Sequence, residues 1–578
     1  MIHPVTASGV QRTTVLVAGG GPAGLAAAAE LSLHGVGCVL IEPRAEVSHR
    51  RPRAKTTSIR TMEHLRRWGV ADALRRAAPL PVAWSQRVTF CESLSGDRIT
   101  DFDGAFGLTE AADDRFAESG QQVPQPVVEE VLREHLRGRP GTELRLGHAV
   151  TALAQDAGGV TVAVTDGAGA RYPIRARYVL GCDGAAGVVR GQVGARYLGR
   201  SDSRPNFNLV FRAPGLDPHL GPAVQYWVVG AATSGLVGRL DLAGTWWAIV
   251  PGLDPVYGSA HATELITALV GAPVEHEVLA TDPWTARMLI ADTFRDRRVF
   301  LVGESAHVNP PWGGHGFNTS VGDAVNIGWK LAAVINGWAT EELLASYEPE
   351  RRAVAEQTVA SAAANMAAGA DALPRDAAAI QRAKRAEFHS LGLVLGYSYA
   401  GSPVIQPGSA VSGQDRDVAS YADRDVTGYP DRDVTSYTPD TEPGGRLPHH
   451  WLPDGSSLYD RLGPGFTLVG AGLDRQPGTA ALTRLARRRG IPLTLAEAPA
   501  AYPWPGEFLL VRPDQHIAWR AADPAGLDIE AAAGLPKGEA HGQRGTAAAD
   551  RRDQRPRVRR PPAAAPGHGG DRGRPDRP

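Results

Sequence analysis

The sequence predicts an α/β protein: a parallel sheet wound with helices, a β-rich segment inserted into it, and a further α/β unit near the C-terminus. Three observations carry this expectation. Gly19-x-Gly21-x-x-Gly24 follows one apolar run, and Glu42 closes the next. Two later apolar runs end in an acid beside a glycine, at Asp183-Gly184 and Gly303-Glu304. Segments rich in Trp, Tyr and Val lie between those acids, and strand-like and helix-like stretches alternate again after residue 447.

Thr14 to Ala18 (TVLVA) fits a buried parallel strand, and Ala23 to Leu33 has helical spacing with many alanines. The glycines between them answer separate demands. Gly19 suits a tight turn, Gly21 lets backbone approach a pyrophosphate, and Gly24 lets the helix pack closely on the strand. An anion then sits at the positive end of the helix that Ala23 begins. Glu42 closes the next strand, where a carboxylate can bind both hydroxyls of an adenosine ribose, and Arg44 follows it. These features together predict a bound dinucleotide.

Arg177 to Cys182 (RYVLGC) and Val299 to Val302 read as further buried strands. Asp183 and Glu304 therefore stand at strand carboxyl ends, the edge where open α/β sheets bind ligands.

With the three segments in this order, residues 13 to 350 resemble the class A flavoprotein monooxygenases. This is the family of para-hydroxybenzoate hydroxylase, phenol hydroxylase and the aromatic polyketide hydroxylases. The resemblance implies a Rossmann-like FAD-binding domain of the GR2 type, an inserted β-sheet substrate domain and a C-terminal thioredoxin-like domain. It also implies roles for individual residues. Glu304 takes the place of the family's ribityl-binding Asp, one methylene longer. Asp183 matches the acid used for both FAD and the nicotinamide donor, with Gly187 where Ser is common. Arg53 looks like the arginine near the pyrophosphate, and Gln125 matches a glutamine that opens a helix beside the ribityl chain. Pro311, Gly313, Gly314, Gly316, Phe317 and Asn318 match the loop along the isoalloxazine. The helix after that loop would turn its free N–H groups toward the flavin pyrimidine, where reduction places negative charge.

The implied cofactors are FAD, NADPH or NADH, and molecular oxygen. The implied chemistry is hydroxylation of a phenolic or quinonoid aromatic, of polyketide type, through a C4a-hydroperoxyflavin. Baeyer–Villiger insertion into a polycyclic ketone and a catalytically silent FAD-binding protein remain open beside it. A flavin-dependent halogenase is the less fitting reading, because GTWWAIVP, residues 244 to 251, lacks the spacing of that group's tryptophan motif.

No catalytic side chain is certain; the candidates are Pro311 and His315, with His307 read as a packing and hydrogen-bonding residue. Neither histidine has metal-ligand spacing, so no metal is expected. Tyr226, Trp227, Trp246 and Trp312 are the substrate candidates, because flat aromatic faces suit a flat substrate. Ordinary sheet packing is the competing role for each of them.

Composition agrees with a large soluble protein: the 578 residues are 43% hydrophobic with net charge −1, which offers no field for nucleic acid. No apolar run approaches a membrane span. Cys38, Cys91 and Cys182 without a CxxC point to a reducing compartment, the cytoplasm.

The expected FAD-binding domain takes residues 1–80, 120–190 and 285–370, and the substrate sheet 81–119 and 191–284. A helical region at 371–408 precedes a linker at 409–446, in which DRDVASYA, DRDVTGYP and DRDVTSYT begin at Asp415, Asp423 and Asp431. Residues 447–533 form the thioredoxin-like domain, to which a packing or homodimer-contact role is ascribed. The tail at 534–578, rich in Arg, Pro, Gly and Ala, reads as disordered. A shifted reading frame and a basic tail for an acidic partner both account for that composition.

Overall fold

The parallel strands Gln11–Ala18, Cys38–Glu42, Thr142–Leu146, Arg171–Gly181 and Val299–Leu301 form one sheet, with Gln11–Ala18 between Cys38–Glu42 and Arg171–Gly181. The computed structural model describes residues 10–50, 55–230, 233–369, 375–406, 433–499 and 502–536. Arg53, the first two repeat units and the tail from residue 537 lie outside the described residues.

Apolar runs become central strands here because both faces are covered. Val15 to Ala18 and Val39 to Ile41 are almost fully buried. Helices Pro22–Leu33 and His315–Ile335 pack against one another, and Gly328 lets them approach, since a Cβ there would fall 2.6 Å from Glu30.

The inserted sheet has eight strands, ordered His307–Val308, Glu277–Ala291, Tyr197–Arg212, Thr245–Pro251, Ser234–Arg239, Gln225–Val229, Arg87–Cys91 and Arg98–Asp103. Its edge strand His307–Val308 comes directly after Gly303-Glu304, so the two sheets meet at the ligand edge. Successive strand residues face opposite sides. Phe207, Phe211, Tyr226 and Trp246 therefore join a core with Leu265, Ile266 and Leu269, while Trp227 and Trp247 belong to the other face.

The C-terminal unit is a four-stranded sheet ordered Leu493–Glu497, Phe466–Gly470, Phe508–Val511 and Ile517–Ala521. Helix Pro477–Arg489 connects its parallel pair, which is the thioredoxin-like arrangement. One turn, Ile529–Ala532, is its last helix among the described residues.

The linker expectation needs correcting at its end. Residues 433–446 are described, and Tyr437, Thr441 and Arg446 are buried in them. Arg446 pairs with Glu63 and donates to the Arg115 carbonyl, which supplies the burial that the polar repeat lacks by itself. The tail likewise begins later than expected, because the Thr340 hydroxyl donates to the Gly534 carbonyl.

Candidate active site

Three strand ends converge on one edge. The Gly19 N–H donates to the Ile41 carbonyl at 2.8 Å, Cys182 N–H to Ala18 at 2.7 Å, and Val302 N–H to Gly181 at 2.9 Å. Gly19 has φ +104°, and a Cβ on it would fall 2.3 Å from the Cys182 oxygen. Only glycine meets both conditions. A Cβ on Gly24 would lie 1.9 Å from the Gly19 oxygen, so the helix reaches its place only without a side chain there. Gly21 has open space where a side chain would stand, and Pro22 and Ala23 begin the helix.

Glu42 is buried at the end of its strand and accepts the Gly20 N–H at 2.6 Å. Its other oxygen receives the Arg44 N–H and guanidinium at 3.0 and 2.6 Å, and Arg44 also pairs with Glu129. Arg133, one turn beyond Glu129 in helix Gln125–Leu136, keeps two buried guanidinium nitrogens without a partner among the described residues. Sequence reasoning missed Arg133.

At the second strand end, Asp183 accepts the Val189 N–H and the Ser305 hydroxyl, both at 2.9 Å. Burial pushes its carboxyl above the usual range against those two donors. Gly187 is required by this rotamer, since a Cβ there would meet the carboxylate carbon at 2.0 Å. Glu304 is exposed beside this pair, one oxygen 4.0 Å from where a Cβ of Gly184 would be, and its carbonyl accepts the Tyr197 hydroxyl.

The third segment bends back through Pro311, Trp312, Gly313 (φ +88°) and Gly314 (φ +71°) into helix His315–Ile335. This helix begins one residue before Gly316, so Gly316, Phe317 and Asn318 form its first turn. No side chain caps it. Its first N–H groups are thus available to a ligand. The Asn318 side chain is not available, because it accepts Ser58 N–H and the Thr61 hydroxyl and donates to the Thr56 and Gly314 carbonyls. Asn318 holds the 56–61 segment against the helix end.

Gln125 opens its helix as expected, and its amide donates to Glu129 at 2.8 Å, one turn along. Gln122 is the glutamine with an unspent amide nitrogen, buried in the short ladder with Thr56. Alternation in that two-residue strand is too short to be read from sequence.

His315 is buried, its Nε2 has no partner among the described residues, and burial pushes the ring down to about 4. It is a neutral imidazole packed against Gly313. His307 holds Asp323 at 2.8 Å, and Asp323 in turn takes Arg351 at 2.6 Å and the Gly303 N–H at 3.1 Å. His307 therefore stabilises the acid turn, in the hydrogen-bonding role expected of it.

Of the aromatic candidates, Tyr226 and Trp246 lie on the sheet face opposite to Trp227 and Trp247, in the core with Leu265 and Ile266. They are satisfied there by the carbonyls of Gly221 and Ala213. Trp227 is on the inner face but covered, with Phe388 at 5.9 Å and the Lys384 ammonium 4.5 Å above its ring. Trp312 is half-buried and meets Trp284 at 6.0 Å. Two cavities flank the 55–59 segment. One, of about 20 Å³, room for a single water, includes Lys55, Asn208, Trp247 and Asp282; the other, of about 220 Å³, includes Ser58, Ile59, Phe106, Phe116 and Phe388.

The cradle fits FAD. It has glycines where a pyrophosphate must approach, an acid at the second strand end, an uncapped helix start, and buried donors on Arg133 and Gln122 without protein acceptors. Comparison with known proteins agrees. An FAD-binding-domain family profile matches residues 12–362, and an aromatic-ring hydroxylase C-terminal profile matches residues 440–537. The chain is 31% identical to 2,4-dichlorophenol 6-monooxygenase of Delftia acidovorans, over 89% of this chain and 95% of that one. Among solved structures it is similar to the rebeccamycin biosynthetic enzyme RebC with reduced flavin, with TM-score 0.78, 31% identity, and 91% and 99% of the two chains covered. It is also similar to aklavinone-11 hydroxylase with FAD and aklavinone, with TM-score 0.73, 28% identity, and 89% and 97% covered.

Proposed function

The chain belongs to the FAD-dependent aromatic-ring hydroxylases, and from that premise we propose that it hydroxylates a phenolic or quinonoid polycycle of polyketide type, with NADPH or NADH as donor. The balance is ArH + O₂ + NAD(P)H + H⁺ giving ArOH + H₂O + NAD(P)⁺. The observation that supports it most is the cavity of about 220 Å³ lined by Phe106, Phe116 and Phe388, whose Ser58 wall is hydrogen-bonded to Asn318 in the uncapped first turn of helix His315–Ile335.

FAD, when bound, supplies the two-electron exchange with the nicotinamide and with oxygen that no side chain can perform. The Gly19 to Gly24 turn and Glu42 would hold its adenosine diphosphate half, and Asp183 and Glu304 its ribityl chain. The Gly313 to Phe317 segment would lie along its ring. The N–H groups of the first helical turn stabilise negative charge placed before them without reorganising. Asn318 keeps that turn fixed to Thr56 and Ser58. Trp312, Trp284 and the inner face of the sheet exclude water from the reacting carbon.

The test is to screen phenolic polycycles for accelerated NADPH oxidation by the flavin-loaded protein under ¹⁸O₂. One labelled oxygen in a product of mass increased by one oxygen is the expected result. Hydrogen peroxide as the sole oxygen product with every phenol would sink the proposal.

A further inference from the structure

Phe106 lines the larger cavity, which Ile59, Phe116, Phe388, Leu391 and Val394 also meet. Its backbone is unusual for a bulky side chain: φ is +60° and ψ +19°, in the left-handed region. Glycine adopts that conformation freely, whereas a residue with a Cβ is strained in it. Three non-glycine residues among those described have positive φ. Arg297 and Gln515 lie in hairpin turns, between Arg295–Asp296 and Val299–Leu301 and between Phe508–Val511 and Ile517–Ala521, where such a backbone reverses the chain. Phe106 closes no hairpin, because the strands on either side of it, Arg98–Asp103 and Gln121–Gln122, belong to different sheets.

The surrounding backbone holds this conformation in place. The Ala105 N–H donates to the Gln86 carbonyl at 3.1 Å, Leu108 N–H to Ala105 at 3.1 Å, and Gly120 N–H to Gly107 at 2.9 Å. A Cβ on Gly107 would fall 2.5 Å from Ile59, and one on Gly120 would fall 2.7 Å from the Phe106 oxygen. The loop is therefore closed tightly around the one residue in it that carries a ring. That ring is only half-buried and stands edge-on to Phe388 at 5.5 Å. Core packing does not account for a strained residue whose side chain is left partly open, and such outliers gather at ligand sites. The cavity it walls measures about 220 Å³, against roughly 150 Å³ for an apolar cavity that accepts benzene. A bicyclic aromatic fits the difference.

We propose that Phe106 is a specificity-determining residue: its left-handed backbone turns the ring into the cavity, where with Phe388 it packs on the flat aromatic substrate and limits the fused ring system that enters. The assignment rests on the hydroxylase reading and deepens it, because it names the wall that sets the size of ring admitted.

The test uses the flavin-loaded full chain and two probes, 2-naphthol and 2-hydroxyanthracene. Dissociation constants are read from perturbation of the flavin absorption in wild type, Phe106→Gly, Phe106→Asn and Phe106→Tyr. Glycine and asparagine remove the ring but tolerate the left-handed backbone, so the loop keeps its course, and flavin content and urea midpoints serve as internal controls. The expected result is a rise of roughly tenfold in the affinity for 2-hydroxyanthracene relative to 2-naphthol in both, the discrimination that one apolar wall supplies. Phe106→Tyr, which keeps the ring, retains the wild-type ratio. An unchanged ratio in the folded, flavin-loaded glycine or asparagine variant assigns Phe106 to packing alone; it overturns the proposal and leaves the hydroxylase reading standing. Failure of wild type to bind either probe while it hydroxylates other phenols does the same. Absence of any flavin perturbation in wild type, together with peroxide as the only product with every phenol, overturns both.

Discussion

The guanidinium of Arg512, in a tight turn of the C-terminal unit, grips the carboxylate of Glu350 in the flavin-binding region with two hydrogen bonds of 2.8 and 2.9 Å. Both side chains are fully buried. Asp514 in the same turn steadies the guanidinium and accepts the Trp329 indole N–H, while its carbonyl and Gln515 receive Arg60. Trp329 belongs to the helix whose first turn faces the cradle. The C-terminal unit is thereby packed onto the helix that bears the flavin loop.

Breaking this pair gives a stability prediction with a pH signature. Arg512→Met is expected to cost about 3 kcal/mol, because it removes one partner of a buried ion pair, with Lys330 still beside Glu350. Burial would raise the Glu350 carboxyl, but Arg512 and Lys330 more than offset it and hold it down to about 2. A depressed carboxyl contributes stability that is complete above its unfolded value of 4.5 and is lost as pH falls from there through about 2. Urea unfolding midpoints across that window should fall less steeply in Arg512→Met than in wild type.

Gly24→Ala should abolish flavin retention. Its new methyl carbon would lie 1.9 Å from the Gly19 oxygen, a backbone atom that cannot yield without moving the turn. The ratio of flavin to protein absorbance after purification reads the outcome, and full occupancy in the variant would contradict the proposed cradle.

Gly187→Ser should rotate Asp183 out of its bonds to Val189 and Ser305, since the added Cβ would fall 2.0 Å from the carboxylate carbon. The expected readout is a slower reduction of bound flavin by NADPH in stopped flow with a small change in folding stability. An unchanged rate would show that the Asp183 rotamer does not matter to reduction.

His315→Asn should flatten acid lability. The His315 ring is pushed down from 6.5 to about 4 by burial, so its neutral form contributes stability that is complete above 6.5 and lost as pH falls through about 4. Removing it should narrow the difference between unfolding midpoints at the two ends of that window. The same shift argues against His315 as a proton donor near neutral pH.

Sequence alone determined the ligand edge. A strand, a glycine turn and a terminal acid are local demands on backbone space and charge, so Gly19, Gly24, Glu42, Asp183 and Gly303 were legible without knowing their neighbours. The helical region at 371–408 was legible in part, and the structure places helix Ala377–Phe388 in it, with the Asp376 side chain accepting the Ala379 N–H. Tertiary structure decided everything that depends on which side a residue faces or which distant partner it meets. Trp246 and Trp247 differ by one position and take opposite faces of the sheet, because strand side chains alternate and register chooses the sign. Gln122 keeps its amide while Gln125 spends its own, and Asn318 is consumed by a segment some 260 residues away. Arg512 and Glu350 are 162 residues apart, and no local pattern pairs them. Their meeting follows from a turn reaching between helices, where a buried charge is stable only beside its complement.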